Sequence, residues 1–361
     1  MKKKKLIDNV LIFVPIIVLL VISLLNMYKV GIIHSMYKNY FLKQTIWFTL
    51  GFIIMGIVIL IKPKLLFKYS KYFYLGNIFL LILVLFVGKT INGSRAWFSF
   101  GFISFQPSEL MKYTLLLYLC EVLSKHKAKN SKEELIFLLK AFFITLIPSL
   151  FVFLEPDTGA IIIYFIIMLG IILVFRINKK WYIIFGICIL LFLTLFGYLY
   201  YFNKDLLIKI LGTSFFYRVD RILTFVNKDS FQLDRALISI GTSGILSSGN
   251  HVYIPEAPTD FIIALTISNF GIISFIFIIL ALLILDIFFL YKLFKNNNLK
   301  YRMFLAGFLM MFIFAQVQNI GMNLGILPII GLPMPFLSYG GTNIIVYFIF
   351  LGTLLGIIKK N

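Results

Sequence analysis

The sequence predicts an all-α integral membrane protein with about ten transmembrane helices, both termini cytoplasmic, and one long extracellular loop between the seventh and eighth helices. Three observations carry that expectation. The 361 residues are 61% hydrophobic and 13% charged, against about 45–50% apolar and about 25% charged in a soluble domain, so one water-soluble core cannot hide the apolar surface. Apolar runs of roughly 20 residues, the length a helix needs to cross a bilayer, recur along the whole chain. The basic residues gather in alternate connectors, as they do in chains whose inner loops are marked by Lys and Arg. A soluble enzyme is excluded by the first observation. Disorder is excluded by 41 Phe and 19 Tyr, because disordered chains are poor in such residues.

Taken in order, the apolar spans run 6–26, 44–61, 70–88, 108–124, 135–154, 158–175, 181–202, 260–290, 301–326 and 340–358. The first reads as a retained helix: its apolar run is about 20 residues and no small-residue cleavage site follows it. Placing the amino terminus in the cytoplasm assigns about 21 of the 34 Lys and Arg to the inner side, from Lys2–Lys5 through Lys62, Lys64 and Lys68 to Lys359 and Lys360. An even helix number returns the carboxy terminus to the same side. The net charge of +20 therefore marks topology, and no nucleic-acid partner is expected, since small basic clusters spread over every inner loop form no stripe. Cys120 and Cys188 lie in apolar runs without metal-ligand spacing or a disulfide framework. With no internal repeat, 1–361 reads as a single polytopic domain. Two outer segments interrupt the short connectors: 89–107, rich in Gly, Ser and aromatics, and 203–258, too long for a structureless link. In the second, Leu206, Leu207, Ile210, Leu211, Phe215 and Phe216 recur at helical spacing, which predicts a helix lying along the outer membrane surface.

Ionisable groups in or beside the membrane are the default functional candidates. Glu109, Lys112, Glu155, Asp157 and Asp260 fall near the outer boundary, and Glu121, Lys140 and Asp286 towards the inner one. Gln316, Gln318, Asn319 and Asn323 occupy the outward half of the ninth span and Asn343 starts the tenth, so a polar crevice open to the outside is expected. Plain structural readings stand beside these. Ser108 and Glu109 follow Pro107 as a helix N-cap would, Lys112 is spaced to pair with Glu109, Glu155–Gly159 reads as a tight turn, and Thr259 or Asp260 suffices to cap the next helix. His34, His126 and His251 are dispersed, which argues against a metal triad.

Four segments, NGSRAWFSFGFISFQPSELMKY (92–113), EPDTG (155–159), IPEAPTDFIIA (254–264) and NIGMNLGILPIIGLPMPFLSYGGTN (319–343), resemble the signature segments of the shape, elongation, division and sporulation proteins, the RodA, FtsW and SpoVE family, in the family's order. The resemblance implies a ten-helix peptidoglycan glycosyltransferase that polymerises lipid II outside the cytoplasmic membrane, for elongation or division, beside a class B penicillin-binding transpeptidase. In that reaction the 4-hydroxyl of an acceptor N-acetylglucosamine attacks the anomeric carbon of a lipid-linked N-acetylmuramic acid. Undecaprenyl diphosphate leaves and the configuration inverts. A base must take the hydroxyl proton and cations must hold the leaving diphosphate. The family's essential aspartate falls on Asp260, the expected general base, with Glu109, Lys112, Glu155 and Asp157 in support. Arg95, Arg218 and Arg221 are the candidate diphosphate contacts, and Ser338, Tyr339 and Asn319 the candidate sugar or diphosphate contacts. A divalent cation, Mg2+ or Mn2+, fits between carboxylate and diphosphate, though no ligand cluster demands one. The chain departs from the family at Ser268 and Asn269, where paired glutamates are usual, at Pro258, where His or Gln is commoner, and in GTSGILSSGN (241–250), which lacks the usual basic residue. Two other functions stay open at this point, a lipid II translocase and a non-catalytic scaffold for the transpeptidase. The outward clustering of polar groups favours polymerisation over transit, and the departures favour the scaffold.

Overall fold

The computed structural model describes residues 2–91, 94–101, 103–127, 130–211, 231–247 and 252–359. Its helices are α1 (Lys2–Ile33), α2 (Tyr40–Leu60), α3 (Pro63–Lys68), α4 (Ser70–Val87), α5 (Pro107–Leu123), α6 (Ser131–Leu154), α7 (Thr158–Phe175), α8 (Lys179–Phe202), α9 (Lys204–Leu211), α10 (Phe231–Thr242), α11 (Ile262–Phe270), α12 (Ile272–Lys295), α13 (Leu299–Asn323) and α14 (Gly341–Ile358). Among the described residues nine helices are long and apolar enough to cross a membrane. The span expected at 108–124 forms α5, at 17 residues just shorter than those nine. Helices dominate because a backbone in lipid must satisfy every N–H and C=O within itself.

The bundle is apolar on both sides of its helices. On α12, Ile276, Leu280, Leu283 and Ile287 repeat at helical spacing and are each about half exposed, a stripe suited to lipid, whereas Ile278, Leu282, Leu285 and Phe289 pack inward. Helices α5, α13 and α14 form the centre, with α13 against α7 and α14 against α2. The α7–α13 contact is close because neither helix carries a side chain there: a Cβ on Gly170 would lie 2.7 Å from the Ala306 carbonyl and 3.0 Å from Gly307 Cα. Small residues are what allow membrane helices to approach in this way.

Two expectations change. Segment 89–107 contains a three-stranded antiparallel sheet, β1 (Lys89–Ile91), β2 (Ser94–Phe100) and β3 (Ile103–Phe105), paired Lys89↔Trp97 and Ile91↔Ser94 on one side and Phe98↔Phe105 and Phe100↔Ile103 on the other. The single span expected at 260–290 is broken into α11 and α12 at Gly271, whose φ is 76°. A Cβ at Gly271 would sit 2.1 Å from the Ile245 carbonyl oxygen. The N–H groups of Ile272 and Ile273 donate to the carbonyls of Gly244 and Ile245 at 3.2 and 3.4 Å. The end of the long 203–258 loop is thus inserted at the break and satisfies the first donors of α12, which any helix start leaves orphaned. Within that loop α9 realises the first part of the surface helix expected from Leu206 to Phe216, and Phe215 and Phe216 lie outside the described residues.

Candidate active site

Asp260 stands on a turn held from both sides. The Glu256 carbonyl, at a residue with φ 56°, accepts the N–H groups of Thr259, Asp260 and Phe261 at 3.1, 3.0 and 3.3 Å. The Asp260 carbonyl accepts from the side-chain amides of Asn319 at 2.9 Å and Asn323 at 3.1 Å. Ser338 Oγ donates to the Thr259 carbonyl at 2.5 Å and accepts from Met334 N–H at 2.8 Å, and Tyr339 N–H donates to the Pro258 carbonyl at 2.8 Å. The residue at the N-cap of α11 is Phe261, without a side-chain cap. The capping reading of Thr259 or Asp260 is therefore corrected: the Thr259 hydroxyl turns back to Glu256, and among the described residues no hydrogen-bond donor reaches the Asp260 carboxylate. Beside it lies Gly331, at φ 74°, where a Cβ would come within 3.2 Å of Asp260 Oδ2. Burial, with the charges of Glu256 and Asp157 adding to it, pushes the Asp260 pKa up to about 7.

The other motif segments meet this turn from the far side. Gly159, at the start of α7, packs on the 330–332 loop, with a virtual Cβ 2.9 Å from Leu332 Cδ2 and 3.5 Å from the Ile330 carbonyl. Asp157 caps α7 through the Ala160 N–H at 3.1 Å and also accepts from Gln106 Nε2 at 2.9 Å and Ser108 Oγ at 3.1 Å. It thereby ties the EPDTG turn to the start of α5. The N-cap of α5 is Gln106, with Pro107 following it and no side-chain cap, so the expected Ser108–Glu109 cap is also corrected. Thr342, in the first turn of α14, accepts from the Gln106 N–H at 3.0 Å and donates to the Ser104 carbonyl at 3.3 Å. Lys112 Nζ and Glu109 Oε1 form a buried ion pair at 2.6 Å. The Glu155 side chain is fully buried, and among the described residues neither of its oxygens has a hydrogen-bond partner. Burial, then the charge of Asp157, pushes its pKa up to about 9, and it is protonated at neutral pH.

Several expected contacts are placed differently. Asn319 is fully buried and donates to the Leu332 carbonyl at 2.8 Å as well as to Asp260. Ser338 is 1% exposed. Both hold the backbone around Asp260. Tyr339 is half-buried and stacked on Tyr40 with centroids 3.9 Å apart. Arg95 is exposed on β2 and donates to the Leu85 carbonyl at 3.3 Å, at the end of α4. Arg218 and Arg221 lie outside the described residues. The crevice amides are spent in pinning loops and helices: Gln318 donates to the Pro328 carbonyl at 2.7 Å and Gln316 to Asp286 Oδ1 at 3.0 Å. Asp286 thereby ties α12 to α13. Among the described residues no three His, Cys, Asp or Glu side chains converge as a metal site, and Asp157 is engaged with Ala160, Gln106 and Ser108.

Ser268 and Asn269, in place of the usual glutamates, are buried on α11. Asn269 Nδ2 donates to Asn26 Oδ1 at 2.9 Å and Asn26 Nδ2 to Thr266 Oγ1 at 2.8 Å, while Lys29 Nζ reaches the Asn269 carbonyl at 2.7 Å. The amide and hydroxyl groups hydrogen-bond one another between α1 and α11, with the Lys29 ammonium at the edge of the network. Sequence reasoning missed Glu256, Gln106 and Gly331 as parts of the site. Glu256 was detectable as a like charge one helical turn before Asp260. Gly331 had no signal beyond the glycine itself.

Residues 4–361 match the family described as cell cycle protein, FtsW, RodA and SpoVE. A probable peptidoglycan glycosyltransferase FtsW of Wigglesworthia glossinidia brevipalpis is 34% identical over 95% of this chain and 90% of the relative. A probable peptidoglycan glycosyltransferase FtsW of Coxiella burnetii is 33% identical over 88% of this chain and 86% of the relative. In fold, the chain is similar to one from a peptidoglycan synthase complex in which polymerization and crosslinking are structurally coordinated, with a TM-score of 0.81 at 23% identity over 97% of each chain.

Proposed function

The chain belongs to the FtsW, RodA and SpoVE family of cell cycle proteins and is a peptidoglycan glycosyltransferase of the bacterial membrane; within that activity we propose that Asp260 is the general base of lipid II polymerisation. The observation that carries the proposal is a carboxylate set on a backbone clamped by Asn319, Asn323 and Ser338, beside a glycine that leaves it room, with a pKa raised to about 7. A base works best when its pKa lies near the working pH, and fixed geometry reduces the reorganisation needed at the moment of reaction.

Asp260 takes the proton of the acceptor 4-hydroxyl as that oxygen bonds to the anomeric carbon. The bond to the undecaprenyl diphosphate oxygen breaks on the opposite face, and the configuration inverts. Arg95, Arg218 and Arg221 are proposed to hold the departing diphosphate, where guanidinium groups suit phosphate oxygens. Asp157 holds the starts of α5 and α7 together beside the base, with the Glu109–Lys112 pair inside α5 and the neutral Glu155 buried next to Asp157 in support. A class B penicillin-binding transpeptidase is the proposed partner, consistent with the synthase complex whose chain shares this fold. The reading as a non-catalytic scaffold rested on Ser268 and Asn269; Asn269 is used in packing against α1, and the Ser268 carbonyl accepts from Ser247.

The test is polymerisation of purified lipid II by the detergent-solubilised protein with its transpeptidase. Asp260→Asn should lose at least about 100-fold, the lower range for a general base. Full activity of that variant would exclude Asp260 from the chemistry.

A further inference from the structure

At the end of the bundle remote from Asp260, α3, the last turn of α5 and the start of α13 surround a pocket of 270 Å3. From Lys300 in that pocket to Asn319 beside Asp260, α13 rises by about 28 Å at about 1.5 Å per residue, so the two sites are separate. The floor of the pocket is apolar: Phe67 is 1% and Tyr301 7% exposed. Its rim is cationic. Lys64 and Lys68 stand four apart on α3, both exposed and in no ion pair among the described residues, and Lys300 approaches from the first turn of α13. The single carboxylate in the lining, Glu121, is shared by Lys300 and by Lys125. Four ammonium groups around one carboxylate leave a surplus of positive charge, to which the N-terminus of α13 adds the positive end of a 25-residue helix. The flanking chain exposes large apolar side chains, Leu60 84%, Leu65 44% and Tyr72 69%, interspersed with exposed Lys62 and Lys71.

We propose that this pocket binds the phosphate headgroup of an anionic phospholipid, with Lys64, Lys68 and Lys300 around the phosphate and Leu60, Leu65 and Tyr72 lying in the acyl region beside it. Basic pockets between membrane helices have the charge that such headgroups seek, and ammonium donors make charge-assisted hydrogen bonds to phosphate oxygens. The apolar flank is what singles out a lipid over free phosphate: it has no use for a soluble anion and would be covered by acyl chains. A zwitterionic headgroup brings its own ammonium into the lysine rim and is disfavoured. The site would seat α3, the short helix joining α2 to α4, against the membrane surface.

Native mass spectrometry of the full chain in micelles doped with phosphatidylglycerol or phosphatidylcholine tests this, with Lys64→Gln/Lys68→Gln as the variant and Lys132→Gln/Lys179→Gln as a control that removes the same charge elsewhere. All four lysines are exposed, so each double variant should fold, which circular dichroism checks. The expected result is retention of phosphatidylglycerol over phosphatidylcholine by the wild type and the control, about thirtyfold weaker retention by the pocket variant, and no displacement by inorganic phosphate. Equal retention by wild type and pocket variant, an equal loss in the control, or no preference for phosphatidylglycerol overturns the proposal. Displacement by inorganic phosphate overturns the lipid as the occupant and assigns the lysines to a soluble anion.

Discussion

Asp260→Asn should make the protein more stable while it abolishes polymerisation. The native pKa is raised from 3.8 to about 7 by burial first and by Glu256 and Asp157 second. A carboxyl whose pKa rises on folding holds its proton more tightly in the folded state than in the unfolded one. Stability therefore falls as pH climbs from about 4 to about 7, and the loss is complete above the folded value. About three pH units at about 1.36 kcal/mol each set an upper limit of about 4 kcal/mol. Asp260 is partly open to solvent, and screening brings the expected figure to about 2 kcal/mol. The asparagine keeps the shape and never ionises. Its advantage over wild type should be close to zero near about pH 4, widen through the neutral range, and reach about 2 kcal/mol at about pH 8. Denaturant or thermal unfolding in one detergent across that pH range measures the gap, with lipid II polymerisation followed in parallel. A variant less stable than wild type at about pH 8, or a gap that does not change with pH, would refute the buried-charge argument whatever happens to activity.

Four further outcomes follow from the same geometry. Glu256→Gln removes a like charge beside Asp260, so the acid limb of the pH–rate profile should move to lower pH by up to about one unit; an unmoved limb would show that this charge does not act on the base. Glu155→Gln should stay folded and active at neutral pH, since the acid it replaces is neutral there with a pKa of about 9, and it should remove the part of the decline in wild-type stability that lies between about pH 7 and about pH 9, above the range of Asp260. Loss of fold in that variant would mean that the carboxylate is ionised. Gly331→Ala places a Cβ at φ 74° and 3.2 Å from Asp260 Oδ2; it should cost about 1–2 kcal/mol in backbone strain and lower kcat more than it raises KM, and wild-type kcat would refute the role of that space. Lys112→Met leaves Glu109 buried without its 2.6 Å partner and should destabilise by about 3–5 kcal/mol, with Glu109→Gln in the same chain recovering much of the loss. A single variant that melts like wild type would show the pair to be unimportant.

How much of this was legible in sequence varies with the physics behind each element. Helix α7, expected at 158–175, is Thr158–Phe175, and α14, expected at 340–358, is Gly341–Ile358. An apolar run of that length has one way to satisfy its backbone in lipid, so its ends show in composition alone. The break at Gly271 was hidden because its cause, the Ile245 carbonyl 2.1 Å from where a Cβ would stand, comes from another loop. The sheet at 89–105 was read as a connector because its strands, three and seven residues long, are too short to show against their glycines and serines.

The site divides along the same line. Asp260 and the four segments around it were readable as chemistry-bearing motifs, and so was the Glu109–Lys112 spacing. That Asn319, Asn323 and Ser338 serve to hold the turn was not readable, because they bond Asp260 and Thr259 across 59, 63 and 79 residues of chain. The amino-acid sequence by itself determined that the chain is a bundle of membrane helices and which carboxylates to watch. Only the tertiary structure decided that Asp260 is clamped, crowded by Glu256 and Asp157, and poised near neutrality, because burial and the distance to a neighbouring charge belong to residues that meet only when the chain has folded.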